Sequence, residues 1–84
     1  MENYRIRFRR KVTKELQALS EKDQIRILKK IRGLAVDPRP VGVVKLSGQE
    51  RYRIRQGDYR IIYEIYNEKV VVVVVRIRHR REVY

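Results

Sequence analysis

The chain has 84 residues, 43% of them hydrophobic, which is enough for one domain with a modest core. It has no cysteine, which excludes disulfides, thiolate metal sites and a cysteine nucleophile, and its one histidine, His79, cannot build a zinc site alone. Lys and Arg number 22 against 10 Asp and Glu, and the resulting net charge of +12 points to a polyanionic partner.

The first stretch, MENYRIRFRRK, is basic but lacks the apolar core of a secretion signal, and the apolar run at 70–75 is too short to span a bilayer. A soluble, cytoplasmic protein with no membrane partner is therefore expected. Tyr4, Ile6 and Phe8 alternate with Arg5 and Arg7, the period of a half-buried strand. Val12, Leu16 and Leu19 then fall at helical spacing. After Ser20, a residue suited to an N-cap, Ile25, Leu28, Ile31, Leu34 and Ala35 repeat that spacing, so two amphipathic helices follow as a hairpin. Asp37-Pro38-Arg39-Pro40 ends the second helix, because proline has no amide donor and the residue before it avoids the α region. A loop runs on to Gly48. From Gln49 the segments RYRIR, YRIIYEIY and KVVVVVVRI read as a meander of strands, the valine run being a central strand covered on both faces. The expected architecture is α+β, in the order β-α-α-β-β-β, one domain over residues 1–84. Its sheet is mainly antiparallel, with the helix hairpin on one face.

Gln56-Gly57 predicts a two-residue hairpin loop, since glycine supplies the positive φ such turns require. In that register Arg55 faces Asp58, Ile54 faces Tyr59, Arg53 faces Arg60 and Tyr52 faces Ile61. Tyr52, Ile54, Tyr59, Ile61, Tyr63 and Ile65 share the face that meets the helices, while Arg51, Arg53, Arg55 and Arg60 share the other. Like charges set opposite one another destabilise a sheet, and an anion between them removes the repulsion. A single arginine splays into water at little cost. A whole set on one face is better read as an anion site, and guanidinium forks match phosphate oxygens. With Asn67-Glu68 as the next turn, the last strand returns to Tyr59 and Arg60, so the tail RIRHRREVY begins beside the arginine pair and adds Arg78, His79, Arg80, Arg81 and Tyr84.

The order of these strings resembles the RelE/ParE superfamily of toxins from type II toxin-antitoxin modules, specifically its RelE-like branch. The resemblance runs over almost the full chain: helices ending in DPRP, then KLSG, YRIRQGDYRIIYEI, the valine strand and HRREVY. It implies a ribosome-dependent endoribonuclease, an mRNA interferase that cuts messenger RNA and inhibits translation. It also implies a cognate antitoxin as partner, with operon DNA reached only through the antitoxin complex. Carried over by motif, Arg53 and Arg55 fall where relatives have lysines, Arg60 falls on the phosphate-binding arginine, and Arg80 and Tyr84 fall on the C-terminal catalytic pair. Arg51, Arg78 and Arg81 join as RNA-phosphate contacts.

Such a reaction needs neither metal nor cofactor if the ribose 2′-OH attacks the adjacent phosphate with the help of a base, an acid and positive charge. Bringing a tyrosine from its ordinary ~10 to about 7 takes roughly 4 kcal/mol. Two guanidinium groups about 7 Å away contribute on the order of 2 kcal/mol each at an effective dielectric near 20. His79 needs no such shift, so Tyr84 and His79 both stand as candidates for the base. The alternatives are a ParE-like toxin directed at DNA gyrase, and a non-catalytic nucleic-acid or ribosome-binding module that uses the same basic face for backbone contacts.

Overall fold

A computed structural model describes residues 3–46, 48 and 50–81. The elements in chain order are β1 (Arg5–Phe8), α1 (Arg10–Gln17), α2 (Glu21–Gly33), β2 (Val44–Leu46), β3 (Arg51–Gln56), β4 (Tyr59–Tyr66) and β5 (Val71–His79). The strands form one sheet in the order β1-β5-β4-β3-β2. β1 runs parallel to β5, and the other pairings are antiparallel.

The helices form where caps and apolar spacing agree. Ser20 caps α2 by accepting the Asp23 N–H at 3.2 Å, with Glu21 and Asp23 in the first turn and Lys30 and Arg32 in the last, each charge opposing the nearby end of the helix dipole. Val12 of α1 and Ile27, Ile31 and Leu34, from α2 and its C-cap, pack on Tyr52, Ile54, Ile61, Tyr63, Ile65, Val72, Val74 and Ile77 of the sheet. Ile27, Ile31 and Leu34 stand at i, i+4 and i+7, so the stripe that meets the sheet is centred on Ile27. The expected Ile25 lies outside it and is 61% exposed.

The helix-facing side of β3 and β4 is the one the alternation predicts, but the register differs. Gln56 pairs with Tyr59, Arg55 with Arg60, Ile54 with Ile61, Arg53 with Ile62 and Tyr52 with Tyr63. The loop is therefore Gly57-Asp58, with Gly57 at φ 58 in the first loop position instead of the second. Moving the turn by one residue shifts each pairing by two. Side-chain parity survives, and so do the two faces, but the directly opposed arginines are Arg55 and Arg60, not Arg53 and Arg60.

Three further expectations are corrected. The segment after DPRP holds β2, which adds an edge strand through Val44↔Arg53 and Leu46↔Arg51. The β4–β5 connection spans residues 67–70, between the paired Tyr66 and Val71, and places Val70 at φ 55, a strained conformation for a β-branched residue. β5 is an internal strand, yet the helices cover only one of its faces. Val72 and Val74 are buried there, whereas Val71 and Val73 on the other side are half-buried. A register shift in β5 opposite Ile62/Tyr63 sets Arg76 across from Ile62 and Val74 across from Tyr63.

Two tyrosines tie the post-helical loop to the sheet. The Tyr63 hydroxyl donates to the Pro38 carbonyl at 2.6 Å, and burial pushes its pKa well up. Tyr52 stacks on Tyr63 at 5.9 Å between centroids and donates to Glu50 at 2.6 Å while accepting from Arg39 Nε at 3.2 Å. Where β1 stops, α1 takes over the edge of β5: Glu15 accepts the Ile77 N–H at 2.9 Å and Arg76 Nε at 3.1 Å. Among the described residues no helix is long and apolar enough to cross a membrane.

Candidate functional site

The face of the sheet turned away from the helices carries the arginines, and the ladder sorts them into rungs. One rung runs Arg55, Arg60, Arg78 across β3, β4 and β5. The next runs Arg53, Ile62, Arg76, and the third runs Arg51, Glu64, Val73. Directly opposed side chains leave a sheet with Cβ atoms about 4.5–5.5 Å apart. Two guanidinium charges at ~6 Å cost roughly 2–3 kcal/mol at an effective dielectric near 20. The rung of three arginines holds that density of positive charge in fixed backbone positions, aimed to one side of the molecule.

At the end of this rung is a cleft of about 320 Å³ lined by Arg55, Gly57, Asp58, Tyr59, Arg60 and Arg80. Arg80 is the first residue beyond β5. Its N–H donates to the Asp58 carbonyl at 2.7 Å, and its Nε lies 3.6 Å from Asp58 Oδ1. The structure thus brings Arg55, Arg60 and Arg80 together around one opening, with Arg78 next to Arg60 in the rung.

Arg53 sits one rung away, between Val44 and Ile62, and its Nε is buried with no hydrogen-bond partner among the described residues. It remains a diagonal neighbour of Arg60, at roughly 7–8 Å in sheet geometry. Ile62 is only 6% exposed although no helix covers it; the stems of Arg53 and Arg76, its neighbours across the ladder, are long enough to shelter it.

Arg51 is differently placed from its expected role. It is engaged by Glu64 through bonds of 2.6 and 3.2 Å, and Glu64 also accepts from Arg9 at 3.4 Å and from Tyr66 at 2.9 Å. Burial pulls the Glu64 pKa up, but the bonds from Arg51 and Tyr66, the Arg51 charge and the Arg9 bond outweigh it, and the carboxyl lies below its ordinary value. Arg51 belongs to this closed network rather than to the cleft.

His79 pairs with Tyr59, and both fall on the helix-facing side of the strands, opposite in parity to Arg60 and Arg78. The imidazole meets Tyr59 edge-on at 5.3 Å, and its Nδ1 accepts the Arg81 N–H at 3.2 Å. A separate cleft of about 380 Å³ contains it, together with Asp23, Arg26 and Tyr59. Arg81 is exposed beyond the strand. Tyr84 lies outside the described residues.

Two acids beside the arginines, Asp58 and Glu64, are given no functional role by the sequence pattern. Both were within reach of the alternation argument: Glu64 has the parity of Arg60 on its own strand, and Asp58 is one of the two residues of the turn once Gly57 is set in the first loop position. Among the described residues no cluster of His, Cys, Asp or Glu is placed to hold a metal ion.

The family model described as "ParE toxin of type II toxin-antitoxin system, parDE" matches residues 6–84. Among solved structures, the archaeal RelE-RelB complex from Pyrococcus horikoshii contains a chain that superposes with a TM-score of 0.86 at 31% identity, over 96% of this chain and 99% of that one. The toxin-antitoxin complex RelBE2 from Mycobacterium tuberculosis gives 0.84 at 26% identity over 98% and 97%. The isolated E. coli RelE toxin gives 0.79 at 29% identity over 90% and 83%. No curated protein sequence matches the chain.

Proposed function

Given that this chain belongs to the RelE-like branch of the RelE/ParE superfamily, toxins of type II toxin-antitoxin modules, we propose that it is a ribosome-dependent endoribonuclease that cuts messenger RNA and thereby stops translation. The observation that carries this reading is the rung of Arg55, Arg60 and Arg78 ending in a cleft shared with Arg80. Three guanidinium groups on fixed strands are suited to the equatorial oxygens of a phosphorane, whose charge exceeds that of the ground-state phosphodiester, so the site favours the transition state over the substrate.

In this mechanism the 2′-OH of the nucleotide upstream of the cut attacks the adjacent phosphorus while a base removes its proton. The bond to the 5′ oxygen breaks as that oxygen gains a proton, leaving a 2′,3′-cyclic phosphate and a 5′-hydroxyl. Arg60 and Arg55 hold the non-bridging oxygens, with Arg53 beside them. Arg78 extends the phosphate track, and Arg80 faces the phosphate or the leaving oxygen. Placement of His79 on the helix side of the sheet supports assigning the base to Tyr84, with Arg81 as an outer phosphate contact. The relatives from P. horikoshii and M. tuberculosis were solved as complexes with antitoxins, which supports a cognate antitoxin as this chain's partner.

The test is primer extension on messenger RNA engaged by ribosomes, run beside naked RNA. New 5′ ends are expected in the ribosomal A site with the wild-type chain and absent with Arg60→Ala, while naked RNA is cut poorly. Tyr84→Phe is expected to lose cleavage and His79→Gln to keep it; the reverse order overturns the choice of base. The name of the matching family model favours one second reading, a gyrase-directed toxin. Inhibition of gyrase supercoiling with no new RNA ends would establish that reading instead.

A further inference from the structure

We propose that Asp58 is a positioning residue for Arg80, holding its guanidinium at the mouth of the arginine cleft. This rests on the nuclease reading above and deepens it. β5 ends at His79, so no ladder partner orients the side chain of Arg80. Two contacts do, and both come from the same turn residue: the Asp58 carbonyl receives the Arg80 N–H at 2.7 Å, and the Asp58 carboxylate stands 3.6 Å from Arg80 Nε. The first fixes where the arm leaves the backbone. The second sets which way it points.

Among the described residues Asp58 is the one acid in the cleft lining, whose other charged members are Arg55, Arg60 and Arg80. A carboxylate in a phosphate site repels its ligand, so on binding alone the position is unfavourable. Orientation of a long, flexible arginine is what it supplies in return. The two side chains are 61% and 58% exposed, which makes the pair weak and exchangeable. An arriving phosphate takes over the guanidinium from the carboxylate with the arm already in place. The same residue therefore has opposite effects on binding and on turnover, and this split distinguishes a positioning role from a merely structural one.

The experiment is a double-mutant cycle on Asp58 and Arg80, read as kcat and KM for cleavage of messenger RNA on programmed ribosomes. Asp58→Ala is expected to lower kcat about threefold to fivefold, the range of an exposed ion pair, with KM unchanged or lower. Asp58→Asn, which keeps an acceptor oxygen without the charge, should fall between it and the wild type. In an Arg80→Ala background, Asp58→Ala should have no further effect. An unchanged or raised kcat in both Asp58 variants, or losses that multiply in the double variant, overturns the proposal. If those results accompany full loss in Arg60→Ala, the nuclease reading stands and only the role of Asp58 falls. A wild-type chain that cuts nothing, or an Arg60→Ala chain as active as the wild type, overturns both.

Discussion

The two ends of the arginine face solve the same problem in different ways. At one end, the rung of Arg51 contains its own acid, and Glu64 gathers Arg51, Arg9 and Tyr66 into a network closed within the protein. At the other, the rung is arginine throughout, and the nearest turn contributes a single exposed carboxylate on Arg80. Two rungs from Glu64, three arginines face one another across the ladder. Pairing with Glu64 stabilises the chain at the first end, and the second end concentrates positive charge on one side of the sheet.

Breaking the concentrated end should have the largest consequence. Replacing Arg60 or Arg55 with alanine is expected to reduce messenger RNA cleavage by at least ~100-fold without unfolding the chain, because each supplies charge that matters most in the transition state. Cleavage assays paired with circular dichroism check this, and near-wild-type activity in both variants would remove the rung from the chemistry.

Breaking the neutralised end should affect stability instead. Glu64→Gln is expected to cost about 1.5–3 kcal/mol in denaturant unfolding, the range for hydrogen bonds to a charged group, with RNA cleavage per folded molecule kept. The sign of the pH dependence follows from its depressed carboxyl. A group with a lower pKa in the folded chain contributes stability that is present above its unfolded value, near the ordinary 4.5. That contribution is lost as pH falls through the folded value, so the wild type should lose stability more steeply below pH ~4.5 than Glu64→Gln does.

A finer comparison sets Arg78 against Arg51, two arginines of one face with different partners in their rungs. Arg78→Ala should lower the slope of log affinity for single-stranded RNA against log salt by about 0.7, as one released counterion requires, whereas Arg51→Ala should leave the slope almost unchanged. Equal slopes in the two variants would mean that Glu64 does not withdraw Arg51 from the RNA surface.

The smallest effect is expected at the β4–β5 loop, at the far end of β4 from the cleft. Val70→Gly should raise stability by up to about 1 kcal/mol, since relief of the strained φ exceeds the added freedom of the unfolded chain. Thermal unfolding measures the gain, and cleavage should be unchanged.

How much of this was legible depended on which interactions decide each feature. Alternation in RYRIR is a strict period of two, and YRIIYEIY departs from it at Ile62 and Tyr66 without losing its parity, so the two faces of β3 and β4 could be read directly. The register could not, because Gly57 fits either loop position and both choices keep the parity. The core stripe of α2 was ambiguous for a related reason: Ile25 with Leu28 and Ile27 with Ile31 are both helical spacings, and only packing against the sheet chooses between them. β2 has three residues with little burial, too short for any period to show. For the site, the residue types on the arginine face were legible from composition and parity. Their partition into a rung of arginines alone and a rung that contains Glu64 needed the register, and so did the placement of His79 on the other side.

The parallel pairing of β1 with β5 bears on the order in which the chain assembles. Arg5 meets Val71, 66 positions later, whereas Arg55 meets Arg60 across a two-residue loop. Loop closure makes the second contact fast and the first slow. The hairpin that opposes two arginines therefore forms while the valine strand still lacks its neighbour, and the repulsion between those arginines is met early, on the way up the folding barrier. Charge concentrated on one rung thus slows the chain's own folding, and added salt relieves that brake.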